Sequence, residues 1–479
     1  MTMRSWLLII LSVICLPGAA IELPDMGISA NTVISQADEQ KLGEAFVRQL
    51  RRQVEVVDDA QINNYLNDVG SRLASYSDNP EQRFQFFVVK DSSINAFAVP
   101  GGFVGVHSGL ILMTRSESEL ASVLAHEIAH VTQRHTARII EASQRFSLPA
   151  LAAMIAAVVI AGAAGSPQLG EAAAAAVIAG NIQMQINFTR THEKEADRVG
   201  MRTLARAGFD PRAMPKFFER LQASSRYYGN VPEFLRTHPV TTDRIAEARD
   251  RAVKYPPKYK RDTPRYHLMR AKLLVLTTSN KHKLLKTLKR MLKEKHYRDE
   301  RATRYALALT LLATRQSNGV QTQIDWLLKH EGDRVLYRLL KARLAVLQNN
   351  DAKAMRVYKQ ALRVYPGDKM LGLEYAEKLL QNNAAQKAKA VLLKISASSN
   401  PHYYRLLARA YQSTGAKAES HLALAEHYYI IGQTRFAVKQ LEMALSGDGL
   451  DFYLASRINA RLQELQLEWL EEQKASRNW

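Results

Sequence analysis

"LAHEIAHVTQRH", residues 124–135, decides how the rest of the chain is read. It lies inside "SESELASVLAHEIAHVTQRHTARII", residues 116–140, which opens with Ser116 and Ser118 as candidate N-caps and with acids in its first turn. Those are helix-start signals, and the stretch predicts one helix. On a helix, residues four apart share a face. His126 and His130 therefore point the same way and can share one cation. Glu127 stands about 100° round the axis. From there a carboxylate reaches a water beside the cation rather than the cation itself, as a general base requires. His135, five residues past His130, is expected to face elsewhere.

Two histidines do not complete a catalytic zinc site, which needs a third protein ligand and an open position. "THEKEADRVG", residues 191–200, offers one on a later helix. Glu193 and Asp197 are four apart, so Glu193 can enter the coordination sphere. Asp197, one turn on, can accept the free ring N–H of a ligating histidine and fix its tautomer. Glu195 and His192 are rival ligands. Glu195 points away from Glu193 on a regular helix and lacks a carboxylate four residues later, so Glu193 ranks first. A zinc ion held by two His and one Glu activates water and polarises a carbonyl, and the natural reaction is peptide-bond hydrolysis.

Working outward, residues 36–75 carry apolar side chains at helical spacing and read as two helices. "QFFVVKDSSINAFAVPGGFVGVHSGLI", 85–111, is rich in Phe and Val and broken by Asn95 and Pro100-Gly101-Gly102, a strand-and-hairpin reading. Gly208 ends a helix, and a further helix begins near Thr241 or Thr242. Residues 147–180 are almost wholly apolar but Ala-rich and interrupted by Gly165-Ser166-Pro167. Each arm is short for a membrane span, so a buried helical hairpin is expected, with peripheral membrane contact as the alternative. "YPPKYKRDTP", 255–264, with three prolines and few apolar residues, reads as a linker.

Beyond it the chain repeats. Ala308, Ala342, Ala376 and Ala410 recur every 34 residues, and Ala354 and Ala388 repeat that interval in the second helix of the unit. Paired helices with small residues at this period are the tetratricopeptide signature.

The 479 residues are 47% hydrophobic and carry a formal net charge of +20. Between Lys254 and Glu300 fifteen Lys or Arg face four acids, a net of +11. A solvated basic helix face accounts for that run, and a site for an acidic partner is the alternative. Aromatic stacking platforms and nucleic-acid motifs are missing, so no nucleic-acid partner is expected. At the N-terminus "MTMRSWLLIILSVICLPGAA" reads as an export signal cleaved after Ala20. The single cysteine, Cys15, lies inside it. The mature chain then has no thiol, and any metal must be held by His, Asp or Glu.

"HEIAH" followed by "EKEAD" resembles the zinc peptidase family that includes the CAAX prenyl proteases, whose pattern is H-E-x-x-H and then E-x-x-x-D. "NAFAVPGG" (95–102) and "THP" (237–239) with Arg244 resemble its bacterial members. The resemblance covers nearly the whole mature chain. It implies one Zn2+ held by His126, His130 and Glu193, with Glu127 as the catalytic base and Asp197 as the catalytic carboxylate behind the ligands, described in the family as a proton donor. It further implies that His238, on a loop, closes the open position as a regulatory fourth ligand, that Arg244 lies nearby, and that "NAFAVPGG" is an active-site strand able to pair with substrate.

The expected fold is mainly α: an α+β zincin-like metallopeptidase domain with a small β-sheet, then an all-α tetratricopeptide superhelix. The expected boundaries are a signal peptide over 1–20, a peptidase domain over 21–254, a linker over 255–264 and repeats over 265–479. The resemblance implies a periplasmic zinc metalloendopeptidase that promotes assembly of outer-membrane β-barrel proteins and degrades misassembled ones. Its repeats would meet those proteins and their assembly machinery. The rival reading is a chaperone or scaffold in which the repeats are primary and the metal site is closed.

Overall fold

A computed structural model describes residues 35–136, 190–228, 232–257, 261–395, 400–447 and 450–477. The expected export signal and the apolar 147–180 segment lie outside the described residues, as do residues 258–260 of the expected linker.

The N-terminal half runs α1 (Gln36–Gln53), α2 (Ala60–Ala74), β1 (Gln85–Val89), β2 (Ala96–Val99), β3 (Phe103–His107), α3 (Ser108–Met113), α4 (Glu117–Thr132), α5 (Arg190–Arg206), α6 (Ala213–Tyr228), α7 (Glu233–Thr237) and α8 (Thr242–Val253). The Phe/Val run gives three strands in the order β1-β3-β2. β1 pairs parallel with β3, Gln85 opposite Phe103, and β2 pairs antiparallel with β3, Val99 opposite Phe103. The reversal between β2 and β3 uses Gly101 and Gly102 at φ of 79° and 82°, where a side chain would be strained. β2 is therefore an edge strand of this sheet.

Ser116, rather than Ser118, caps α4, its Oγ accepting from the Glu119 N–H at 3.1 Å. Every residue of α4 from Glu117 to His130 is buried, which explains why, past its polar first turn and Ser122, the helix is apolar all round except for His126, Glu127 and His130. Gly208 ends α5 at φ 81°, with the Phe209 N–H returning to Leu204 O. Thr241 caps α8 through the Arg244 N–H.

The C-terminal half is helical throughout its described residues: α9 (Pro264–Thr277), α10 (Lys281–Lys293), α11 (Glu300–Ala313), α12 (Val320–Glu331), α13 (Val335–Leu347), α14 (Asp351–Val364), α15 (Lys369–Gln381), α16 (Ala385–Leu392), α17 (Pro401–Ser413), α18 (Lys417–Ile430), α19 (Thr434–Leu445) and α20 (Phe452–Arg477). Ala308, Ala342, Ala376, Ala410, Ala354 and Ala388 are all fully buried, as crossing points of stacked helices require. The turns share the period: Arg315, Asn349 and Asn383 all adopt left-handed φ near 54°. In each, the next residue's N–H closes onto the helix just finished, Gln316 to Leu311 O, Asn350 to Ala345 O and Ala384 to Leu379 O.

One hydrophobic core continues from Val57 on α2's approach, through α4 and α6, to Leu344 on α13. The chain entering α9 is laced to α3 and α4. Asp262 accepts from the Glu117 N–H at 2.8 Å, Thr263 Oγ1 donates to Glu117 Oε1 at 2.6 Å, and Tyr266 Oη lies 2.9 Å from Thr114 Oγ1. Among the described residues, no helix is long and apolar enough to cross a membrane.

Candidate metal centre

α4 and α5 cross closely because Gly200 has no side chain. A Cβ there would stand 2.9 Å from Ala125 O and 3.1 Å from His126 Cα. This contact brings Glu193 and Asp197 of α5 against the histidines of α4. One ligand atom each from His126, His130, Glu193 and His238 lies within 4.8 Å of the others. The two Nε2 atoms of His126 and His130 face each other at 3.1 Å, and Glu193 Oε1 is 3.4 Å from His130 Nε2 and 2.9 Å from His238 Nδ1. Glu193 Oε2 is buried as well, 3.5 Å from His126 Nε2. Imidazole nitrogens turned onto one another and onto a carboxylate, all dry, fit a shared divalent cation.

The outward nitrogens of the two α4 histidines are also held. His126 Nδ1 lies 3.0 Å from Asp197 Oδ1. Arg244 grips Asp197 with Nε and Nη2 at 2.7 and 2.9 Å, and its Nη1 is 2.8 Å from Glu193 Oε2 and 2.7 Å from Pro239 O. The expected place for Arg244 near the site is thus occupied, and it joins both carboxylates to the segment bearing His238. His135 does not face elsewhere. Its Nδ1 is 2.9 Å from His130 Nδ1, and its Nε2 is 3.3 Å from Glu195 Oε2. His192 stacks on His135 at 4.4 Å. The rival ligands Glu195 and His192 thus stand behind His130, outside the four-donor cluster.

Glu127 is fully buried, and neither carboxylate oxygen has a hydrogen-bond partner. Burial raises its pKa against the partial opposition of His238 and His126. Burial works the same way on Glu193 and Asp197 but loses there. His238, His126 and His130 hold Glu193 well below the usual carboxylate range, and Arg244 with His126 holds Asp197 low. The cations around Glu193 and Asp197 thus outweigh burial, whereas at Glu127 burial prevails.

His238 follows α7, with Phe234 packed against its ring at 4.7 Å and its Nε2 3.7 Å from Glu127 Oε1. The Phe234 N–H donates to Ile94 O at 2.9 Å, and Glu233 Oε2 accepts from Ser93 Oγ at 3.4 Å. Burial, with Asp91 adding to it, pushes Glu233 up to about 7.

The model of peptidase family M48 matches residues 60–252. The Escherichia coli K12 protein named beta-barrel assembly-enhancing protease is 35% identical over 447 residues, 92% of this chain and 91% of that one. The chain belongs to peptidase family M48. A putative beta-barrel assembly-enhancing protease of Vibrio cholerae is 36% identical over 473 residues, 97% of each chain. The mitochondrial metalloendopeptidase OMA1 of Schizosaccharomyces pombe is 32% identical over 181 residues, 38% of this chain and 50% of that protein. M48 peptidases use zinc, and the buried His/Glu cluster has the donors to bind one ion. The chain is a metalloprotease of family M48, with an all-helical region behind the peptidase fold.

Proposed function

We propose that this chain is a periplasmic zinc metalloendopeptidase that promotes assembly of outer-membrane β-barrel proteins and degrades misassembled ones. The peptidase domain would be 21–254 and the repeats 265–479. The observation that carries the reading is the convergence of His126, His130 and Glu193 with the unpartnered Glu127 beside them. The similarity to beta-barrel assembly-enhancing proteases over nearly the whole chain supplies the substrate class.

His126, His130 and Glu193 would hold the zinc, which when bound would supply water activation near neutral pH and polarisation of a carbonyl oxygen. Glu127 takes the proton of the attacking water and returns it to the leaving amine. Asp197 and Arg244 orient His126, and His135 with Glu195 orients His130. The edge strand β2 offers backbone groups to an extended substrate. The repeats bring unfolded or misassembled proteins, or the assembly machinery, to the peptidase.

His238 is the regulatory fourth ligand. Its place within the donor cluster favours a closed resting site, and this also supports a second reading, a chaperone or scaffold in the envelope that works without cutting. Glu127→Gln separates the two. We expect it to retain one zinc per chain and to lose proteolysis of an unfolded substrate by at least about a hundredfold. Undiminished digestion would remove Glu127 as base. Full rescue of barrel assembly by the inactive variant would favour the scaffold.

A further inference from the structure

α10 is divided lengthwise by chemistry. At 100° per residue, Lys283, Lys286, Lys289, Arg290 and Lys293 fall within an arc of about 120°, and all five are exposed. Leu284, Leu285 and Leu288 occupy the opposite arc and are buried against the repeat core. Lys295, His296 and Arg298 continue the exposed basic surface past the helix end. Glu294 is the one carboxylate between Lys281 and Arg298.

No ion pair joins any of these five cations to a carboxylate of the described residues. Their neighbours in the basic run are engaged. Arg265 pairs with Asp68, Lys272 pairs with buried Asp59, and Arg270 donates to Leu112 O. Arg301 and Arg304 in the next helix are paired with Asp299 and Glu300. The single-signed face is thus local to α10 and is not the chain's general surface. A row of five like charges over about 15 Å repels itself across less than two screening lengths. It gains from a surface that supplies counter-charge along its whole length.

We propose that the cationic face of α10 docks the protein on an anionic phospholipid surface. A protein partner would need an apolar or aromatic anchor at the centre of the patch, and α10 has spent its apolar side chains on the core. Single-stranded nucleic acid would need a row of stacking rings, and the arc of these cations carries a single imidazole, His282. An anionic bilayer needs neither: juxtaposed Lys and Arg are held by its surface potential at roughly fivefold in affinity per cation. The proposal rests on the envelope reading above for why a membrane is at hand. Docking would hold the peptidase where membrane-bound substrates arrive.

The test uses the full mature chain and vesicles of equal parts phosphatidylcholine and phosphatidylglycerol, with pure phosphatidylcholine as comparator. Wild type binds the anionic vesicles, releases them as salt rises, and ignores the neutral ones. Lys286→Gln/Lys289→Gln/Lys293→Gln weakens binding at least about tenfold, because Gln keeps the helix while removing three charges. Removing three scattered exposed lysines, Lys41→Gln/Lys216→Gln/Lys417→Gln, changes it by less than about twofold. Equal weakening by both triples would overturn a local site in favour of net charge, and absence of binding to anionic vesicles would overturn the proposal outright. Both arms are repeated on the Glu127→Gln background. Wild-type vesicle binding that fails while wild-type proteolysis stands sinks only the docking claim, and a wild type that binds vesicles but cuts no faster than Glu127→Gln sinks only the peptidase reading.

Discussion

His135 sits three residues beyond the end of α4, yet its ring stands 2.9 Å from that of His130 on that helix. The chain leaves α4 through Arg134 at φ 53°, which folds His135 back under His130. A single tautomer pattern satisfies the line. Glu195 accepts from His135 Nε2, His135 Nδ1 accepts from His130 Nδ1, and His130 Nε2 is left with its lone pair towards the centre. Removing the middle ring breaks that order. His135→Ala should lower zinc affinity roughly 10- to 100-fold, read by competition with a chelating dye. Unchanged affinity would make His135 mere packing. At this scale the clustering of His126, Glu127, His130, Glu193 and Asp197 was legible, because their spacing obeys helix periodicity. His135 was not, because its position depends on one left-handed residue that no periodicity contains. The place of His238 came only from resemblance.

Between elements, the decisive contact is that of α4 with α5. Its residue is Gly200, silent in the sequence because a glycine within a helix pattern is ordinarily just a weak spot. Gly200→Ala gains helix propensity by roughly 1 kcal/mol, yet it forces a methyl against Ala125 O. We expect weaker zinc binding and a lowered Tm. A stabilised variant with intact zinc affinity would show that the helices can separate at no cost. The strands were legible from Phe and Val, but their order was not, since both the hairpin and the parallel β1–β3 pair are compatible with the same apolar runs.

The short segment α7 gives the fold a pH dependence. Glu233 has its folded pKa raised from 4.5 to about 7. Its contribution to stability is fully present below the unfolded value and is lost as pH rises through the folded one. Glu233→Gln removes this loss. The Tm difference between variant and wild type should therefore grow in the variant's favour from about pH 4.5 to about pH 7. Parallel Tm curves would contradict it.

Over the whole molecule, the peptidase fold and the first repeats share one interior. Lys272 of α9, counted in the sequence as part of a basic run, is 2% exposed, with its Nζ 2.6 Å from Asp59 Oδ2 and 2.7 Å from Gln61 Oε1. Asp59 in turn caps α2. Charge counting treats every lysine as surface, so this tie was illegible. Breaking it leaves a buried carboxylate alone, and Lys272→Ala should cost about 3–5 kcal/mol in urea unfolding followed by fluorescence. A change below about 1 kcal/mol would class it with surface pairs.

The lacing of Asp262 and Thr263 onto Glu117 has a mechanical meaning. Glu117 opens the same helix that carries His126 and His130 nine and thirteen residues later, so the solenoid is bolted to one end of the rod whose other half bears the blade. On the reading proposed above, a cargo gripped by the repeats would be presented without the slack of a swinging tether. The span from grip to cut would then be set by the fold, and the molecule would act as a ruler: an unravelled stretch shorter than that span would be held and left whole.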